Sequence, residues 1–104
     1  RVVAVSPGNS HSLALTAAGA VWSWGYGREG QLGHGDQQYR LLPKKVEALA
    51  DQRVVAVSAG VYHSLATTAD AVFAWGKGET GCLGHGEDLA NQLLPKKIEV
   101  WSRD

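Results

Sequence analysis

Apolar positions in this chain fall in short, strand-length runs, each closed by glycine, proline or polar residues. Val2-Val3-Ala4-Val5-Ser6 is rich in β-branched residues and stops at Pro7-Gly8, which predicts a strand followed by a turn. The runs from Ser12 to Thr16 and from Ala20 to Trp24 predict a second and third strand. They are joined by a turn containing Gly19, where hairpins often require a positive φ. From Gly25 to Asp36, five of twelve residues are glycine, which excludes a regular element and predicts a compact loop. The last element, from Lys45 to Leu49, is open between a strand and a short helix with Pro43 in its first turn. A later segment of the same pattern, Lys97-Ile98-Glu99-Val100-Trp101, is β-branched and tilts the reading to a strand. Within the hairpin, Leu13, Leu15, Trp22 and Trp24 are expected on one face, and Ala14, Val21 and Ser23 on the other.

The whole pattern is written twice. Arg1-Val2-Val3-Ala4-Val5-Ser6 returns as Arg53-Val54-Val55-Ala56-Val57-Ser58, His11-Ser12-Leu13-Ala14 as His63-Ser64-Leu65-Ala66, and Trp24-Gly25 as Trp75-Gly76. Leu32-Gly33-His34-Gly35 and Leu42-Pro43-Lys44-Lys45 also recur, as Leu83-Gly84-His85-Gly86 and Leu94-Pro95-Lys96-Lys97. The hairpin turn of the second copy, at Ala69-Asp70, is one residue shorter, and the hairpin is expected to tolerate the loss. A period near fifty residues marks a stacked or radial array, because one such unit cannot bury its own apolar face. The predicted strands are apolar on both faces and no helix is long enough to cover them, so the cover must be another sheet of the same kind. The expected fold is all-β: two four-stranded blades of a β-propeller, with repeats at 1–52 and 53–104. Because the chain opens inside an apolar run, it is expected to be two units of a longer array.

Composition narrows the function classes. Of the 104 residues, 44% are hydrophobic and 19% charged, which argues against disorder, and the formal net charge of zero gives no footprint for nucleic acid or an anionic membrane. One cysteine, Cys82, excludes an internal disulfide framework. No run reaches the length of a membrane span, and an intracellular protein, cytoplasmic or nuclear, is the expectation.

The series Gly-x-x-His-Ser-Leu-Ala, Val-Trp-Ser-Trp-Gly, Gly-Gln-Leu-Gly-His-Gly-Asp, then proline and a short apolar strand closely resembles the regulator of chromosome condensation repeat. Both units carry it, so the resemblance covers essentially the whole chain. It implies a propeller normally of seven blades. It also implies one of several roles: nucleotide exchange on the small GTPase Ran with nucleosome docking, a module of HECT-type ubiquitin ligases, an ultraviolet-B receptor, or partner binding alone. The receptor role relies on segments reading Gly-Trp-Arg-His-Thr. Here Gly8-Asn9-Ser10-His11-Ser12 and Gly60-Val61-Tyr62-His63-Ser64 lack the tryptophan. The exchange role belongs to a complete ring with a wedge-like insertion, and neither repeat contains an insertion.

Residues that look chemical are duplicated with the blade. Gly25-x-Gly27-x-x-Gly30 and Gly76-x-Gly78-x-x-Gly81 match a dinucleotide fingerprint, but Gln31-Leu32-Gly33-His34-Gly35 cannot supply the helix such a site needs. His11 and His34 match His63 and His85, without the close pairs of a zinc site, and are expected to bond loop backbone or a neighbouring blade. Ser10, His11, Ser12, Asp36 and Asp70 supply triad residue types with neither a nucleophile elbow nor a unique copy. Cys82 stands where Gln31 stood and reads as a loop residue. Trp22, Trp24, Phe73 and Trp75 are expected to fill the space between blades. Trp101, in the place of Leu49, is expected near the open end.

The sequence therefore predicts a non-enzymatic module for protein partners, with no cofactor or metal, and as the alternative a fragment of a guanine-nucleotide exchange factor of the Ran type. Loop positions that differ between copies are released from the packing needs of the blade and are the candidate binding residues. They are Tyr26, Arg28, Glu29, Gln37, Gln38, Tyr39, Arg40, Lys77, Glu79, Thr80, Asp88 and Asn91. Two blades leave apolar faces uncovered, so copies are expected to associate into a homo-oligomer, about three or four completing one ring.

Overall fold

A computed structural model of the chain describes residues 1–78 and 90–98. Eight strands form two four-stranded antiparallel sheets in simple up-and-down order. The first holds β1 (Val2–Pro7), β2 (His11–Thr16), β3 (Val21–Gly25) and β4 (Arg40–Lys45); the second holds β5 (Ala56–Ala59), β6 (His63–Thr67), β7 (Val72–Gly76) and β8 (Gln92–Lys97). The first three predicted strands of each copy are present.

The fourth strand departs from the expectation. It runs from Arg40 to Lys45, while Glu47–Leu49 form a single 3-10 turn. Pro43 is tolerated because β4 is an edge strand that pairs with β3 alone, so its missing N–H breaks no ladder. The Val46 N–H donates to the Val21 carbonyl at 2.8 Å and ends the pairing. Val46 and Leu49, three residues apart, then turn the same way and are buried in the core. In the second sheet β8 likewise spans Gln92–Lys97, ahead of the expected start at Lys97, and Glu99, Val100 and Trp101 lie outside the described residues.

The hairpin register also corrects the expected faces. Leu13 lies opposite Ser23, Ala14 opposite Trp22 and Leu15 opposite Val21. Directly opposed residues share a face, so Leu13, Leu15, Val21 and Ser23 point one way, and Ser12, Ala14, Trp22 and Trp24 the other. Large residues are thus split between the faces. The register that the turn closes sets this facing, and one position of slip in that register would invert it. In the second hairpin Leu65 faces Ala74 and Ala66 faces Phe73, which preserves the same parity across a turn one residue shorter.

The sheets stack with the Leu13 face of the first against the Trp75 face of the second. Leu13, Leu15, Val21, Val46, Leu49 and Val54 form the core with Ala66 and Trp75, and Val57, Ala59 and Phe73 pack at its margin. Burying side chains of this size contributes about 1.5–3 kcal/mol each, which makes this layer the main source of stability.

Candidate interaction surface and the seam between blades

The β1–β2 and β3–β4 connections of the first sheet gather at one end of the stack with the β5–β6 turn, Lys77 and Asn91 of the second. Backbone bonds fix them: Tyr26 N–H donates to the Ser10 carbonyl and Lys77 N–H to the Tyr62 carbonyl, both at 2.9 Å. This places Tyr26 between Tyr39, whose ring meets it edge-on at 5.1 Å, and Tyr62 of the second blade, at 6.2 Å. The Lys77 ammonium lies 5.3 Å from the centre of the Tyr62 ring, within cation–π range. Tyr39 is 63% exposed and Tyr62 39%, with Val61 beside them at 46%.

Most of the predicted binding residues are drawn together here. Tyr26, Tyr39 and Lys77 form the aromatic cluster, and Glu29 receives a hydrogen bond from Asn91 Nδ2 at 3.1 Å, tying the loops of the two blades. Gln37 Nε2 donates to the Arg28 carbonyl at 3.0 Å. Gln38 N–H and Arg40 both bond Asp36, the latter as an ion pair at 2.8 Å. Glu79, Thr80 and Asp88 lie outside the described residues. Tyr62 belongs to the cluster although it was not among the predicted residues. The signal for it was in the repeat itself, since Val61-Tyr62 stand where the first copy has Asn9-Ser10.

Beneath this surface a polar seam joins the blades. Ser64 Oγ donates to the Gln31 carbonyl at 2.7 Å, and the Trp75 indole Nε1 donates to the same oxygen at 2.9 Å. The Ser64 proton is thereby committed, so His11 Nε2 donates to Ser64 Oγ across 2.8 Å. His11, Ser64 and Gln31 are all buried. Burial pulls the His11 pKa from 6.5 down to about 4; the His63 backbone opposes this and the His63 ring adds to it. His11 Nδ1 makes no hydrogen bond among the described residues. Despite its serine–histidine geometry the pair has no solvent access and acts as a latch. Within the first blade, Ser23 Oγ donates to the Leu32 carbonyl at 2.6 Å and lies 2.9 Å from His34 Nε2. The His34 pKa is lowered, chiefly by burial and then by Lys44 and Arg40.

The glycines of the fingerprint-like loop serve the same seam. Gly30 N–H bonds the Gly27 carbonyl and Gly33 N–H the Gly30 carbonyl, which gives successive turns. Gly33 has φ +78°, and a Cβ there would meet the Trp75 Nε1 at 2.8 Å. Glycine is required because the neighbouring blade's indole rests directly on the backbone. Of the expected inter-blade aromatics, Trp75 is fully buried, whereas Trp22 and Trp24 are half-buried on the outer face of the first sheet. Among the described residues no three histidine, cysteine, aspartate or glutamate side chains converge, and no helix is long and apolar enough to cross a membrane.

Two stacked four-stranded sheets joined through a buried seam are adjacent blades of a β-propeller. The chain belongs to the regulator of chromosome condensation (RCC1) repeat family, whose models match residues 18–67 and 70–103, and 2–31. The matched unit 18–67 begins in one blade and ends in the next, so the family's repeat spans the seam described above. Human probable E3 ubiquitin-protein ligase HERC6 is 45% identical over 90% of this chain, which corresponds to 9% of that protein. The ultraviolet-B receptor UVR8 of Arabidopsis thaliana is 43% identical over 94% of the chain and 22% of the receptor. Among solved structures, human WBSCR16 superposes with a TM-score of 0.86 at 35% identity, covering 93% of this chain and 25% of that one. Prp20p of Saccharomyces cerevisiae, described with binding properties to Gsp1p and histones, gives 0.84 at 26% identity over 94% and 25%. The chain thus spans a quarter or less of each relative.

Proposed function

We propose that the chain is a non-catalytic propeller segment, with repeats at 1–52 and 53–104, that binds protein partners through its loop end inside the cell, in cytoplasm or nucleus. The observation that carries this reading is the Tyr26–Tyr39–Tyr62 cluster with Lys77, assembled from both blades, in which Tyr39 and Tyr62 are exposed. Tyrosines supply contact area at low entropic cost and are enriched where interfaces concentrate their energy. Relatives named as ligases, a light receptor and a binder of Gsp1p and histones share this fold, which fits a scaffold whose specificity resides in its loops. Copies of the chain associate as part of the same reading, because two blades leave sheet faces that a ring would cover.

Purified Ran-type GTPase and core histones serve as probes. Tyr39→Ala with Tyr62→Ala is expected to weaken whichever complex forms by about tenfold or more. Nucleotide release from the GTPase is expected to stay at its spontaneous rate. Accelerated release would favour the alternative, part of an exchange factor of the Ran type. Binding indifferent to both tyrosines would remove the loop end from the reading.

A further inference from the structure

The three tyrosines at the loop end stand where the other copy of the repeat has no ring. Tyr26 follows Gly25 as Lys77 follows Gly76, and Tyr62 precedes His63 as Ser10 precedes His11. Tyr39 precedes Arg40, the partner of Gly25, as Asn91 precedes Gln92, the partner of Gly76. The main chain does not ask for these rings. Tyr26 N–H donates to the Ser10 carbonyl and Lys77 N–H to the Tyr62 carbonyl at the same 2.9 Å, so the turn closes whichever side chains stand there. Rings that the blade can do without, two of them exposed beside the exposed Val61, mark a surface kept for contact.

Geometry and charge select what such a surface takes. Tyr26 and Tyr39 come from the two ends of the β3–β4 connection and Tyr62 from the β5–β6 turn, so the cluster offers no continuous strand edge for main-chain pairing. Arg40 is committed to Asp36 at 2.8 Å, and Lys77 lies against the Tyr62 ring at 5.3 Å. Beyond Lys77, Asn91 bridges the Gly78 N–H and the Glu29 carboxylate. A phosphorylated or strongly acidic segment therefore lacks the arginine cluster that it needs. An amphipathic helix calls for a groove walled by aliphatic side chains, whereas these rings carry hydroxyls. A polyproline II segment suits them better, since it arrives preformed, lays pyrrolidine rings on aromatic faces and leaves its carbonyls unpaired for the tyrosine hydroxyls. Rising about 3.1 Å per residue, it sets alternate residues about 6 Å apart. Neighbouring ring centres here are 5.1 and 6.2 Å apart, with Tyr26 in the middle.

We infer that Tyr39, Tyr26 and Tyr62 form a docking site for a proline-rich segment of a protein partner, bound as a polyproline II helix across the two blades. This rests on the loop-end reading above and supplies the class of partner. Successive Xaa-Pro units meet successive rings, and the balanced charge around them leaves recognition to shape and apolar contact. Because Tyr62 and Lys77 belong to the second blade and Tyr26 and Tyr39 to the first, the site is complete only when both are folded together.

The chain has three tyrosines, so label placed in tyrosine rings reports on this site alone. The full chain is titrated by NMR with a synthetic alternating alanine–proline peptide and with the same peptide carrying glycine for each proline. The proline peptide is expected to shift the signals of all three rings saturably. The glycine peptide, which must be ordered on binding, is expected to bind about tenfold more weakly or less tightly still. Tyr39→Ala with Tyr62→Ala is expected to weaken the proline peptide by about tenfold or more, read from the Tyr26 signal. If that variant loses its β-sheet circular dichroism, Tyr39→Ala alone takes its place. Equal affinity for the two peptides, or an affinity indifferent to the substitutions, overturns the inference. A proline peptide that leaves the ring signals unmoved, while a GTPase or histone complex still depends on Tyr39 and Tyr62, overturns the proline-rich partner alone. Ring signals unmoved and no complex dependent on the tyrosines removes the loop-end reading as well.

Discussion

Trp24 and Trp75 hold the same place in their sheets, opposite Ser12 and Ser64, yet their surroundings differ. Trp75 is sealed under the first blade, its indole bonded to the Gln31 carbonyl and its ring laid on Gly33. Trp24 has the same sheet around it, but among the described residues no second sheet covers it, and it lines a groove. The neighbour, not the strand, turns a repeated residue into a structural one. Stability in this array is therefore a property of the seams, as expected where each unit contacts only the next.

Breaking the comparison at its centre should have the largest effect. Trp75→Ala is expected to destabilise the fold by about 4 kcal/mol in urea titration, against about 1 kcal/mol for Trp24→Ala at dilution that keeps the chain monomeric. Equal losses would mean that the two indoles contribute alike. Next, Gly33→Ala must strain a positive φ and push against the Trp75 indole, costing about 2–3 kcal/mol by the same titration. Gly35→Ala, which also has a positive φ but lies 3.3 Å from a Leu94 methyl, should cost about 1 kcal/mol.

The seam should also be sensitive to acid. The folded pKa of His11, about 4, lies below its ordinary 6.5, so between these values the unfolded chain binds the proton that the folded chain refuses. Stability is then complete above about pH 6.5 and falls as pH drops toward 4, by about 2 kcal/mol. His34, also lowered, adds a smaller loss of the same sign. His11→Asn should flatten most of this slope in thermal melts at pH 4.5, 5.5 and 7, and a slope unchanged by the substitution would discharge His11. Smallest is the serine pair: Ser64→Ala leaves His11 Nε2 without its acceptor and should cost about 1.5 kcal/mol, whereas Ser12→Ala in the open face should cost about 0.5 kcal/mol or less.

Much of this was legible in the sequence. The doubled runs gave the first three strands of each copy, their hairpins and the blade stacking, because strand length, turn glycines and the fifty-residue period are local signals. Which way Trp22 and Trp24 point was not, since facing depends on how the chain closes between Thr16 and Ala20, and counting from Leu13 alone cannot fix that parity. The fourth strand was misplaced because Pro43 and the exposed Leu41 and Leu42 look unlike an interior strand, while Val46 and Leu49 look like one. As for the surface, reading the repeat-variable positions located Tyr26, Tyr39 and Lys77. The same rule applied to the β5–β6 turn would have found Tyr62.

The indole N–H groups report the central claim most directly, and their hydrogen exchange can be followed by NMR in a chain labelled at tryptophan. Trp75 is expected to be protected at every concentration, while Trp24 exchanges rapidly in dilute solution and gains protection as the concentration rises. Rapid exchange at Trp75 in the dilute chain would contradict the account, because the seam that buries it would not exist.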